Sequence, residues 1–230
     1  MKQNIKNRNL LIIAIVLHIC MVALEIIGLV QGIYVFGWKL SVGFYTQQSN
    51  AFTMIMSGIY AVYAFLALKK GRAIPKTVSL LRYMATCCMT LTFVVTAGVL
   101  VPAYGLKQMM FGDCVLYCHL ICPLLSMLLL LFIEPVGIDA KDRWKPIIPT
   151  VCYALIIIPI NVFNIIESPY PPYPFLRVHE QTIFESVMWG IGIIAINLLF
   201  AWLLWMGVNL RKRTTASDSD RITQTTGLSD

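Results

Sequence analysis

The chain has 230 residues, of which 58% are hydrophobic and 13% are charged, and its formal net charge at pH 7 is +7. An ordinary soluble domain carries about 25% charged residues, so this composition excludes one. Apolar runs long enough to cross a bilayer, at about 20 residues each, recur along the chain and indicate a polytopic membrane protein.

Six segments are long enough to cross a hydrocarbon core as helices that rise about 1.5 Å per residue. We therefore predict an all-α fold, a bundle of six transmembrane helices, in a single domain at residues 1–213. A tail at residues 214–230, rich in Ser, Thr and Asp, has no apolar periodicity and is predicted to be disordered. The predicted spans lie near residues 9–30, 46–68, 78–101, 114–133, 147–166 and 184–208.

The distribution of Lys and Arg predicts the orientation of these spans. Basic clusters precede the first span, separate the second from the third and the fourth from the fifth, and follow the sixth, whereas the opposite loops hold only Lys39, Lys107 and Arg177. By the positive-inside rule, both termini are cytoplasmic. The positive charge is thus explained by topology, and no nucleic-acid partner is inferred. The first span is too long for a cleaved signal peptide and lacks a small-residue cleavage site.

Seven cysteines raise the question of a metal site. Cys114, Cys118 and Cys122 share one face of the fourth span, but buried cysteines commonly act as small apolar side chains. A zinc site needs two Cys or His pairs at ligand spacing, and His119 points about 100° away from Cys118 around the helix. We predict no metal and no cofactor.

Polar side chains concentrate in the outer halves of the predicted spans, while the inner halves are nearly all aliphatic apart from His18 and Arg82. Polar groups are costly in lipid, so a set at one depth predicts an internal cavity that opens outward or into the outer leaflet. The outer set comprises Glu25, Thr46, Gln47, Gln48, Ser49, Asn50, His119, Asn161, Asn164, Glu167 and Glu185.

Simpler structural roles remain open for the same residues. A residue at the outer end of a span, such as Gln47, can be an interface residue that touches water or headgroups. His119 and Asn161 can hydrogen-bond a neighbouring helix. Thr46 or Ser49 can cap the start of the second span.

The set also contains the groups that nucleophilic catalysis needs. A hydroxyl nucleophile requires a base within hydrogen-bond reach, and the free amides at a helix start can stabilise an oxyanion. Thr46 or Ser49 meets the first need if His119 packs opposite. This arrangement is physically coherent but unspecific, because many membrane proteins carry Thr on one helix and His on another.

Three strings narrow the choice: "FYTQQSN" at residues 44–50, "YCHLICPLLSMLLLLFIEP" at residues 117–135 and "PPYPFL" at residues 171–176. With these strings in order, the chain resembles, over roughly residues 9–210, bacterial members of the androgen-induced gene product family. This family, also called the FAR-17a family, consists of six-span membrane proteins. Its animal members are intramembrane threonine hydrolases that cleave fatty acid esters of hydroxy fatty acids.

The resemblance implies that Thr46 is the nucleophile and His119 the base, with Pro123 one turn later in the fourth span. It also matches residues 173–176 to the aromatic-proline segment of the family. The animal members have a mostly apolar run after the Thr, whereas polar residues follow Thr46 here and supply Ser49 as a rival nucleophile. Around the pair, the predicted oxyanion or orienting residues are Asn50, Ser49, Asn161, Glu25 and Glu185, and the predicted substrate-lining residues are Tyr45, Gln47, Tyr173 and Phe175.

These inferences predict an intramembrane lipid hydrolase in the cell membrane, with a lipid or fatty acyl ester as substrate and membrane lipids as its surroundings. Two other functions remain open. A non-catalytic lipid-binding or scaffold protein would share the cavity, and a small transporter would need a polar route through the inner half, where His18 lies. The sequence does not indicate the oligomeric state.

Overall fold

The structure is a computed structural model that describes residues 2–135, 137–167, 169–171 and 173–226, with side chains between residues 8 and 211. In these ranges the regular elements are all helical. They are α1 (Lys2–Phe36), α2 (Trp38–Gly43), α3 (Tyr45–Lys70), α4 (Lys76–Tyr104), α5 (Leu106–Met110), α6 (Asp113–Ile133), α7 (Ile147–Val162) and α8 (Ile183–Thr226), with short 3₁₀ turns at Ala140–Asp142 and Pro174–Leu176.

Six helical segments are long and apolar enough to cross a membrane: five lie within α1, α3, α4, α6 and α8, and the remaining one, Ala140–Val162, joins the 3₁₀ turn at Ala140–Asp142 to α7. Each overlaps one predicted span, so the all-α six-span prediction is confirmed. The fifth span ends at Val162 rather than near residue 166, because Asn164 adopts a positive φ of 52° and turns the chain out of the helix. Because the number of spans is even, the start of the first span and the end of the last lie on the same side of the membrane.

The last helix continues to Thr226, past residue 214, where the sequence predicted a tail to begin. Residues 214–226 contain neither glycine nor proline, so no residue there interrupts the helix that leaves the membrane. Residues 227–230 of the predicted tail lie outside the described residues. Its disorder stays a prediction.

The centre of the bundle is α4, with α1, α3 and α6 packed around it. In its most apolar window, 61% of α4 is buried, against 17% for α8. Helices α1 and α3 run antiparallel: the rings of His18 and Tyr60 lie 4.5 Å apart towards one end, and Gly32 faces Gln47 towards the other. Helices α7 and α8 pack on the outside of this group, with 22% and 17% of their most apolar windows buried, and α1, also at 22%, is as exposed as α7.

A buried ion pair joins α1, α4 and the end of α6 at the predicted cytoplasmic side. Arg82 Nε donates to Glu134 Oε1 at 3.0 Å, and His18 Nε2 lies 3.3 Å from the same oxygen. Arg82 also donates to Ser126 Oγ at 2.9 Å. Burial acts to raise the pKa of the Glu134 carboxyl, but the Arg82 guanidinium and the His18 ring hold that pKa below its ordinary value. The two polar residues of the inner half thus have a structural role.

The opposite end of the bundle is closed by an outer cover, which we define as α2, α5 and the 3₁₀ turn Pro174–Leu176 with the preceding Tyr170 and Tyr173. Gly105, at φ 92°, turns the chain sharply from α4 into α5. Tyr153 on α7 donates to the Gly43 carbonyl at 2.8 Å, and Tyr170 donates to the Lys39 carbonyl. The first bond holds the cover against α7, and the second joins two parts of the cover.

Candidate active site

Thr46 and His119 meet at the outer end of the bundle. The Thr46 Oγ1 atom lies 3.3 Å from His119 Nε2, and each residue is only 7% exposed. The residue before α3 is Phe44, and no side chain caps this helix start, so neither Thr46 nor Ser49 has the N-cap role. The hydroxyl and the imidazole are thus within reach of each other in a site shielded from water.

The local structure of α6 presents His119 to this site. His119 lies in a π-helical turn, Leu116–Ile121, in which the backbone is wider than an α-helix. Pro123 contributes to this change of register, because it lacks the amide that would bond the His119 carbonyl in a regular α-helix. Two further π-helical turns, at Thr96–Leu100 in α4 and at Leu129–Ile133 in α6, show that such a turn does not by itself mark the site.

The second ring nitrogen of His119 defines the tautomer. His119 Nδ1 lies 2.8 Å from the backbone carbonyl oxygen of Met109 on α5. A carbonyl oxygen only accepts hydrogen bonds, so Nδ1 carries the proton and Nε2 is left to accept one from Thr46. A carbonyl in a short helix of the outer cover therefore orients the ring. The sequence alone does not reveal this contact, because residue types do not indicate which side chains a backbone carbonyl contacts.

Tyr173 places a second hydroxyl beside the Thr46 hydroxyl. Its OH lies 3.4 Å from Thr46 Oγ1, and its ring stacks on Phe175 at 4.9 Å and meets Phe44 edge-on at 5.6 Å. Burial raises the pKa of Tyr173 to about 12, so the phenol is a neutral donor at physiological pH. Tyr173 and Phe175 both lie in the wall of the cavity described below.

Asn50 and Ser49 hold the start of α3 in place. Asn50 Nδ2 donates to the carbonyls of Thr46, at 2.7 Å, and of Cys118, at 3.2 Å. Ser49 Oγ donates to the Thr46 carbonyl at 3.0 Å and lies 2.9 Å from Thr92 Oγ1. His119 therefore contacts Thr46 and not Ser49. Both amide protons of Asn50 are engaged away from the Thr46 hydroxyl.

The remaining predicted orienting residues lie away from the pair. Glu185 accepts hydrogen bonds from the Thr182 amide and hydroxyl, at 2.7 and 2.8 Å, and is exposed. Asn161 exchanges two hydrogen bonds with the backbone of Tyr170 and so anchors the outer cover. Glu25 is fully buried on α1 beside the Cys122 thiol. The ring nitrogens of His119 contact Thr46 and Met109, and neither glutamate.

A cavity of about 600 Å³ adjoins Thr46. It is bounded by the start of α3, by α4, α7 and α8, and by the turn Pro174–Leu176. Tyr45 and Thr46 line it. Gln47 does not, because its side chain faces Gly32 on α1. We call this space the lateral cavity. Most of its lining is aliphatic or aromatic, as Leu91 and Ile194 illustrate.

No family model, curated protein or solved structure matches the chain. Among the described residues, no group of three or more His, Cys, Asp or Glu side chains could hold a metal ion, and all seven cysteines are free thiols. The chemical interpretation of the site therefore rests on its residues and their geometry.

Proposed function

We propose that the protein is an intramembrane hydrolase of acyl esters, either fatty acid esters of hydroxy fatty acids or a related lipid ester, in the cell membrane. The observation that carries this proposal is the contact of Thr46 with His119, whose ring is fixed by the Met109 carbonyl. A hydroxyl, a base and an orienting acceptor are the parts of an activated nucleophile. The resemblance to the androgen-induced gene product family supports the same pair.

In the proposed reaction, Thr46 Oγ1 attacks the ester carbonyl carbon while His119 Nε2 removes the hydroxyl proton. The tetrahedral intermediate collapses to an acyl-threonine, and His119 returns the proton to the leaving alkoxide. A water molecule then attacks the acyl-threonine with His119 again as base. The C–O bond to Thr46 breaks, Thr46 recovers its proton, and the fatty acid leaves.

The oxyanion that forms in both steps needs a hydrogen-bond donor near Thr46. The predicted donors Asn50 and Asn161 are engaged with backbone carbonyls, whereas the Tyr173 hydroxyl lies 3.4 Å from the nucleophile. We therefore assign the donor role to Tyr173. The positive end of α3, at which Thr46 is the second residue, adds a favourable field for the developing negative charge.

Hydrolysis by the purified protein tests the proposal. The protein in detergent is incubated with a panel of lipid esters and with a hydroxyl-directed fluorophosphonate probe. Thr46→Ala and His119→Ala are each expected to lower turnover by at least about 10²-fold, the effect of removing a nucleophile or a general base. Ser49→Ala is the matched control on the same helix start and should retain turnover and labelling.

Two results would contradict the proposal in different ways. Loss of probe labelling in Ser49→Ala alone would move the nucleophile to Ser49. Equal turnover in the parent and in the Thr46 and His119 variants would remove the hydrolase function.

A non-catalytic lipid-binding protein is the second candidate, because the largely apolar lateral cavity would serve it equally well. This function predicts that Thr46→Ala leaves lipid binding and biological effect intact. A transporter is less well supported, since His18 and Arg82 both contact Glu134 within the packed bundle.

A further inference from the structure

The lateral cavity is not enclosed on all sides. Ile158 and Val162 on α7 line it and yet remain 45% and 47% exposed. Ile183 and Val187 on α8 also line it, at 85% and 49% exposure. Residues that face both a cavity and the outside mark its opening, so the lateral cavity opens between α7 and α8. All four of these side chains are aliphatic, as expected for a surface in contact with lipid tails.

The route to the site from the aqueous side is covered. Thr46 lies beneath the outer cover, against Tyr173, and His119 lies against the Met109 carbonyl of α5. The cover is itself bonded to α7 through Tyr153 and the Gly43 carbonyl. A substrate that reaches Thr46 without displacing the cover must come from the side.

We propose that the lateral cavity is the binding site for a single fatty acyl chain that enters from the outer leaflet through the gap between α7 and α8. The proposal rests on the proposed function and extends it, since it places the ester carbonyl at Thr46 with the acyl chain along the cavity. No Asp, Glu, Lys or Arg is among the described lining residues, and the ring of His179, which also lines the cavity, already contacts the Asn161 carbonyl, so a charged group would have no free ionic partner there. The volume lies within the usual range for ligand sites, about 300–1,000 Å³.

The shape of the cavity, and not the transfer of apolar surface out of water, determines which acyl chains it binds. A lipid tail already lies in an apolar phase, so its move into an apolar cavity removes little surface from water. The chain is bound if the cavity is open and long enough to hold it. A side chain that fills the cavity should therefore exclude a long chain and admit a short one.

Gly190 on α8 offers a way to fill the cavity without disturbing the fold. It lines the cavity, and a Cβ atom at this position would meet no heavy atom within 4 Å. Gly192, two residues on, also has open space around its Cα, but it does not line the cavity. The pair gives a filled and an unfilled variant that make the same change to the same helix.

The test compares nitrophenyl palmitate with nitrophenyl acetate on the purified protein in detergent. Gly190→Trp is expected to lower palmitate turnover by at least about tenfold, the cost of a small overpacking, and to leave acetate turnover within about twofold. Gly192→Trp should hydrolyse both esters like the parent. Equal losses on both esters in Gly190→Trp, or no loss on palmitate, would overturn the proposal.

A binding measurement separates this proposal from the hydrolase function. A palmitate methyl ester with a diazirine on its chain is photoactivated in the presence of Thr46→Ala protein, and the labelled peptides are identified. We expect labelled peptides from α7 and α8. The labels should be absent in the double variant Thr46→Ala with Gly190→Trp and present in Thr46→Ala with Gly192→Trp. If the parent hydrolyses no ester, this labelling pattern still supports the acyl site. Labelling of α7 and α8 that is unchanged by Gly190→Trp would refute it.

The route of entry has its own matched pair on α8. Val187 lines the opening, whereas Ile191, one turn on and 55% exposed, does not line the cavity. An aspartate at the opening places a charge in the path of an apolar chain. Val187→Asp in lipid vesicles should therefore slow palmitate turnover by about tenfold relative to Ile191→Asp. Equal rates in the two variants would mean that the chain enters elsewhere.

Discussion

At the scale of single residues, the site depends on how each polar atom near Thr46 is already engaged. Asn50 and Ser49 are close in sequence to Thr46, yet their hydrogen bonds run to backbone carbonyls and to Thr92. Tyr173, more than a hundred positions away, brings its hydroxyl to Thr46 Oγ1. The neighbours of Thr46 along the helix thus bond its backbone, whereas a residue distant in sequence contacts its hydroxyl.

Replacing Tyr173 by Phe tests its role as oxyanion donor. Removing one such donor costs about 10²-fold or more in kcat, so we expect a loss of that order with KM little changed. Because the pKa of Tyr173 is about 12, the phenol stays neutral across the working range, and the pH profile should keep its shape. Tyr45→Phe is the control, since the Tyr45 hydroxyl lines the same cavity but bonds Thr150. Similar losses in both variants would indicate a packing effect.

Glu25→Gln tests whether a glutamate orients His119. The Met109 carbonyl already contacts His119 Nδ1, and Glu25 is fully buried beside Cys122. The amide has nearly the same shape and removes an ionisable group from the membrane interior. We expect turnover within about twofold of the parent and an equal or higher thermal midpoint in detergent. A tenfold loss of turnover would restore the orienting role that the sequence suggested for Glu25.

At the scale of helices, sequence patterns located the spans because apolar length is a strong and local property. They also placed Thr46 and His119 at one depth, from orientation and residue count. They could not supply the π-helical turn that presents His119, nor α5, whose carbonyl fixes it, because short elements have no periodic pattern. A Glu in the first turn of a helix also suits a capping box, and Thr182 and Glu185 form one here, a contact that residue types alone do not separate from an orienting role.

The ion pair of Arg82 and Glu134 is an element-scale feature whose loss should destabilise the bundle. Removing one partner of a buried pair costs about 3–5 kcal/mol, because the other charge is left unpaired. Arg82→Met is expected to lower the thermal midpoint strongly, and Arg82→Met with Glu134→Leu to recover much of it. A double variant as unstable as the single one would mean that packing, not charge, dominates at this position.

The same pair predicts a dependence of stability on pH. The folded pKa of Glu134 lies below its ordinary value, so its stabilisation is complete above the unfolded pKa, about 4.3, and is lost as pH falls through the folded pKa. The parent should therefore lose thermal stability on acidification below about pH 4 more steeply than the double variant. Parallel acid profiles for the two proteins would contradict this assignment.

At the scale of the whole molecule, the buried polar contacts and the apolar opening of the lateral cavity lie on different helices. Helices α1, α3, α4 and α6 hold the ion pair and the Thr46–His119 contact, while α7 and α8 leave an apolar opening beside Thr46. A site shielded from water and an apolar opening thus lie side by side, as the proposed entry of a lipid requires. The leaflet in which the site lies depends on the orientation of the bundle in the membrane. The charge bias of the loops alone predicts that this is the outer leaflet.

Orientation is tested by labelling single introduced cysteines in intact cells with a membrane-impermeant maleimide. Lys107 lies on α5 in the outer cover and Lys70 at the opposite end of α3, and both are exposed. Lys107→Cys should be labelled from outside, whereas Lys70→Cys should be labelled only after the membrane is permeabilised. The parent gives the background of its seven thiols, of which the five buried ones are expected to be shielded. The reverse pattern would place Thr46 in the cytoplasmic leaflet, and substrate would then have to come from that side.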